Sequence, residues 1–112
     1  RPPRSTLFPY TTLFRSRDLF QAMQNVIPEM DDQGGEVGRY GHGLGMQLTE
    51  QPSHAVFDDT VLEENMVITL EPSLNYSEGR IMVHEENLVV QNGKPRLLSV
   101  RATPELPIIG VS

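Results

Sequence analysis

The sequence contains no cysteine and no tryptophan. The first absence excludes disulfides and thiolate metal ligands, and it fits a reducing compartment, so a cytoplasmic location is expected. No apolar run is long enough to span a bilayer. No segment joins a basic start, an apolar centre and a small-residue cleavage site. Neither membrane insertion nor a secretory leader is therefore expected. Basic residues are also scarce: nine lysines and arginines against fifteen acids give a net charge of −6. That balance argues against a nucleic-acid partner. The hydrophobic content of 38% is low for a self-contained domain. A length of 112 residues suits one small domain or part of a larger one. Nothing repeats and no stretch is of low complexity.

The chain opens on arginine rather than methionine, and it reads as a fragment. Residues Thr6 to Ser16 are TLFPYTTLFRS, which resembles the conceptual translation of a short-read sequencing adapter, with residues 1–5 as flanking read-through. Residues 1–16 are therefore expected to be non-native and to carry no function, and residues 17–112 to form the native piece. Three arginines lie in that opening segment, so the remainder carries a charge of about −9.

From Arg17 the pattern turns helical. Leu19, Phe20, Met23, Val26 and Ile27 fall on one face at a 3.6-residue period, and Pro28 should end the helix near Ile27. Asp31 to Gly38 reads as a loop, with Asp31 and Asp32 solvated rather than metal-bound, because adjacent side chains on an extended backbone diverge. Gln51 to Asp59 reads as another loop, and His54 as a surface histidine. Asn65 reads as a turn, and Met66 to Leu70 (MVITL) as a buried strand. After a loop at Asn75 to Gly79, Arg80 to Val83 begins a strand that His84, Glu85 and Glu86 interrupt and Leu88 to Val90 continue. Alternation sets Glu85 with Val83, opposite His84 and Glu86. Asn92-Gly93 signals a hairpin, with Lys94 to Val100 as its return strand. Thr103 to Ser112 reads as an irregular tail packed on the surface.

Three stretches carry chemistry. In GRYGHGLGMQLTE (38–50), Gly41, Gly43 and Gly45 flank His42 and Leu44, so a histidine is held where other groups can approach closely. Glu71 ends an apolar strand and precedes Pro72, a place where a lone carboxylate needs a metal or a cation beside it. Glu85 interrupts a strand. One imidazole and two carboxylates suit Mn, Fe, Co or Zn, and carboxylates can bridge two such ions.

The order GHGLG, then a strand ending TLEP, then a strand carrying HEE before NLVV, resembles the pita-bread metallopeptidases. That family includes methionine aminopeptidase, Xaa-Pro aminopeptidase, prolidase and creatinase. The similarity covers about Arg17 to Ile109. It implies an α+β fold: part of the pita-bread architecture, with a mixed or antiparallel sheet and one N-terminal helix. It also implies two divalent metal ions (Mn, Co, Fe or Zn) held by two aspartates, one histidine and two glutamates. His42 and Glu71 match two of these ligands. Glu85 matches the glutamate that bridges the metals, and is the catalytic residue carried over. The implied substrate is a small peptide or a small amide or amidine, and the implied assembly a homodimer.

This sequence departs from the family in two ways. The upstream aspartate ligands have no match, and Asp31 and Asp32 do not take their place. The chain is therefore expected to be inactive by itself, to bind one metal weakly at most, and to expose apolar surface. The family's substrate-binding histidine seven residues after the ligand is replaced by Thr49, and the histidine that many proline-directed members carry four residues before the ligand is replaced by Gly38. This wording is similar to the amidohydrolase-like branch, such as ectoine hydrolase. A non-catalytic protein-binding module of the same fold is the alternative.

Overall fold

The structure, a computed structural model, describes residues 14–27 and 39–110. The expectations for residues 1–13, Asp31 and Asp32 fall outside them. Among the described residues one helix, α1 (Ser16–Val26), is followed by seven short strands. These are β1 (His42–Gly43), β2 (Glu50–Ser53), β3 (Val67–Leu70), β4 (Ser73–Ser77), β5 (Arg80–Val83), β6 (Glu86–Val89) and β7 (Arg96–Leu97). Five form a sheet in the order β2-β1-β3-β6-β7, and β4 pairs with β5 separately. Every pairing is antiparallel. The fold is thus α+β with one N-terminal helix, as expected, and its sheets are antiparallel rather than mixed.

The helix starts where the Asp18 carboxylate accepts the Arg15 N–H at 2.7 Å, which satisfies a donor at the open end. It stops at Val26, ahead of Pro28. Its apolar face carries Phe20, whose ring stacks on Tyr40 with centroids 4.7 Å apart and planes 18° apart. Met23, Ile27 and Leu74 pack around that pair. Val26, assigned to the same face, is 78% exposed, so the face is narrower than its period suggests. Phe14 to Ser16, inside the segment expected to be non-native, are part of this fold: Arg15 bridges to Val61, and Ser16 is fully buried.

Strand β3 is central, flanked by β1 and β6, and buries Ile68 and Thr69. Its β-branched run is the strand that the sequence suggests. Other boundaries differ. Residues 50–53, three of which fall in the loop read from Gln51, form edge strand β2, a position proline tolerates. Asn75 to Gly79 is no loop: β4 runs through Ser77 and only Glu78–Gly79 turns, with Gly79 at φ +72°. The return strand after Gly93 shrinks to Arg96–Leu97. Through residue 110 the tail is irregular as expected, yet Leu106, Ile108 and Ile109 are each more than 80% exposed, so this part is not packed.

The stretch 80–90 is two strands in two sheets, with one register behind both. Leu70 pairs with Glu86, and Ser73 pairs with Val83. Between them the His84 N–H donates to the Pro72 carbonyl at 3.2 Å. The chain from β3 to β6 is therefore one long hairpin, broken at Glu71–Pro72 opposite His84–Glu85. Pro72 has no N–H to return to His84. The Glu71 N–H turns instead to the Tyr40 carbonyl at 2.9 Å.

Candidate metal centre

The site begins with Gly41. Its φ of +137° is open to glycine alone, and a side chain there would strike the Thr69 carbonyl. This close approach sets His42 at the start of β1 against β3. The His42 N–H donates to Thr69 Oγ1 at 3.1 Å. The same hydroxyl donates to Glu71 Oε2 at 2.6 Å. Glu71 Oε2 lies 2.9 Å from His42 Nε2. On its other side the imidazole sets Nδ1 2.8 Å from the Gly43 carbonyl. A carbonyl only accepts, so Nδ1 carries a proton and Nε2 is turned toward the carboxylate.

This arrangement fits a divalent ion. A carbonyl partner on one ring nitrogen is the usual support for metal ligation through the other. Two ligands of one ion at about 2.0–2.2 Å each stand roughly 3 Å apart, as Nε2 and Oε2 do. A cleft of about 180 Å³ opens on the pair, lined also by Arg39, Gly41, Ser73 and Val83.

Glu85 is not gathered into this cleft; its side chain is exposed. Among the described residues no three His, Asp or Glu side chains are grouped to hold a metal. The register nevertheless places Glu85 opposite Glu71. Hydrogen bonds fall at Met66–Val90 and Pro72–His84, so Glu71–Glu85 occupies a position without them, where facing side chains stand closest. Val83, on Glu85's face by alternation, lines the cleft. His84 and Glu86 face the other way: they meet at 3.3 Å and line a second cleft with Met23, Leu70 and Leu88. Thr49 is exposed in the bend at 45–49 and does not line the His42–Glu71 cleft.

Two residues of the site escape the sequence reading. Thr69 shares Glu71's face by alternation, a signal that was there to be used. His54, expected at the surface, is fully buried, with Nδ1 2.6 Å from Ser16 Oγ. Burial lowers its pKa from 6.5 to about 4, against an opposing pull from the Thr69 backbone. Asp58 is also buried. Its burial opposes ionisation, but hydrogen bonds from Thr60 and Ser53 outweigh it and leave the carboxyl below its usual range.

An antiparallel sheet that brings an imidazole at the start of β1 and a carboxylate just past the end of β3 together defines an α+β fold with a candidate metal site. The chain belongs to metallopeptidase family M24, whose model matches residues 7–92. It is 40% identical over 85 residues to a Xaa-Pro dipeptidase of Pyrococcus horikoshii, covering 73% of this chain and 24% of that protein. It is 31% identical over 83 residues to the Xaa-Pro dipeptidase of Pyrococcus furiosus, with the same coverages. Among solved structures it resembles the prolidase of P. horikoshii, at TM-score 0.67 and 26% identity over 82% of this chain and 26% of that one. It also resembles an X-Pro aminopeptidase of Thermotoga maritima, at TM-score 0.66 and 27% identity over 80% and 26%. The chain thus spans about a quarter of the length of these relatives.

Proposed function

We propose that this chain is part of a hydrolase that uses two divalent metal ions (Mn, Co, Fe or Zn) to cleave a C–N bond. The observation that carries this reading is the His42 Nε2–Glu71 Oε2 pair, with Glu85 opposite Glu71 in the hairpin register. His42 and Glu71 would hold one ion, and Glu85 would bridge to the second. When bound, the ions supply Lewis-acid polarisation of the scissile group and a water acidified toward neutral pH. The chain's own residues do the placing. Gly43 fixes the proton on His42 Nδ1, and Thr69 holds Glu71 to one rotamer. Val83 and Ser73 wall the cleft.

The substrate class follows from the relatives: Xaa-Pro dipeptides come first. Thr49, which stands where the family carries a substrate-binding histidine, and Gly38, where many proline-directed members carry another histidine, favour a second reading, an amide or cyclic amidine of the ectoine type. With only two ligand side chains brought together, this chain alone should not turn over either substrate. A cytoplasmic homodimer is the working assembly for the longer enzyme, and a non-catalytic binding module is the competing class.

Metal analysis decides between the classes. A longer form recovered from the source DNA should hold two transition-metal ions per chain and hydrolyse Xaa-Pro dipeptides or ectoine. A folded, metal-free protein without either activity would refute the hydrolase reading. Sequencing across the Ser16–Arg17 junction tests whether residues 1–16 are foreign: a reading frame continuing upstream with different residues is expected.

A further inference from the structure

The metal-binding pair has a support behind it. His54 is fully buried between α1 and β1, although it lies in no regular element. Its backbone is clamped from both sides: its N–H donates to the Gly41 carbonyl at 3.0 Å, and its carbonyl accepts the Tyr40 N–H at 2.9 Å. The ring lies against Gly41, where an added Cβ would come within 2.7 Å of His54 Cδ2 and would also strike the Thr69 carbonyl. The imidazole edge and that carbonyl therefore crowd the same side of Gly41. Among the described residues Nε2 has no hydrogen-bond partner, and the Thr69 carbonyl, which crowds Gly41 beside the ring, is the polar group at hand. A buried polar atom left this way is costly, so the loose approach calls for a role. Thr69 is also the residue whose hydroxyl ties His42 to Glu71.

We propose that His54 is a positioning residue for the metal-binding pair: it presents Nε2–H to the Thr69 carbonyl beside Gly41 and thereby fixes the hydroxyl that sets His42 against Glu71. This rests on the reading of that pair as metal ligands. The role needs one particular tautomer. The Ser16 hydroxyl has a single proton, and it lies near both His54 Nδ1 and the Ser53 carbonyl, 2.9 Å away. If Ser16 donates to Nδ1, the ring proton is on Nε2 and meets the Thr69 carbonyl. If Ser16 donates to Ser53, the proton is on Nδ1 and a bare Nε2 lone pair faces an acceptor. The first arrangement is the one proposed.

The test uses the 112-residue chain, labelled with 15N, with zinc ion as the probe. Long-range proton–nitrogen spectra should show His54 protonated on Nε2. His54→Phe should stay folded but exchange the His42 amide at least tenfold faster and bind zinc about tenfold more weakly, in the range for lost support of a metal ligand. His54→Gln, whose amide can still reach the Thr69 carbonyl, should restore most of both. A proton on Nδ1 overturns the proposal, as does a folded His54→Phe that matches wild type in both readouts. If His54→Phe does not fold, the tautomer and His54→Gln decide, and a Gln variant with fast His42 exchange overturns it. If the wild-type chain takes up no zinc, the metal reading fails, while the tautomer and the exchange at His42 still judge His54.

Discussion

Thr69 Oγ1 serves both partners: it accepts from the His42 N–H and donates its one proton to Glu71 Oε2. Thr69→Val, close in shape, leaves a buried N–H without an acceptor. It should cost about 1–3 kcal/mol in urea-unfolding stability and weaken zinc binding at least tenfold in a calorimetric titration. Glu71→Gln should weaken zinc binding by at least as much, without that loss of stability. His54 makes a separate prediction in pH. Its folded pKa of about 4 lies below the ordinary 6.5, so between these values the unfolded chain binds more protons. Stability is then complete above pH 6.5 and falls as pH drops toward 4, by up to about 3 kcal/mol. His42, Asp58 and Glu71 act on the same ring. Asp58, with its carboxyl lowered, loses its share only below the ordinary carboxylate range, outside that window. Urea midpoints at pH 7.5 and 5 should therefore diverge for wild type and converge for His54→Phe. At this scale the sequence showed His42 and Glu71 plainly, because glycines and a terminal Glu-Pro are local marks. His54 was hidden, because its burial comes from α1 and the Gly41 backbone ahead of β1, which are distant in sequence.

Elements were legible where one face is buried and opaque where context decides. The helix follows from its period, and β3 from a β-branched run. Strand β2 was missed because Pro52 suggests a loop, while pairing with β1 overrides that signal. The long hairpin was seen only in part: the two polar interruptions could be read, but their shared register could not. Turn chemistry behaved as expected at Asn65, which takes φ +78°. Asn65→Ala should therefore cost about 1 kcal/mol in a urea titration, whereas Asn65→Gly should be close to neutral.

The molecule as a whole is loosely built. Its radius of gyration of 16.0 Å exceeds the roughly 13 Å of a compact domain of this length. Tyr76, Ile81, Met82 and Val83 are each about half exposed, so the outer hairpin has apolar groups bare on both faces. A ribbon of two strands is weak by itself, and such a surface invites association. Light scattering should show mass rising with concentration, and Ile81→Lys with Met82→Lys should suppress the rise. The same hairpin has a mechanical consequence. Glu71 and Glu85 face each other as like charges, which loosens a ladder at that rung. A cation between them would replace repulsion with a shared bond and join two short ribbons into one stiff lever. Ion occupancy would then be felt at the tip, Glu78–Gly79, as far from the ligands as the hairpin reaches.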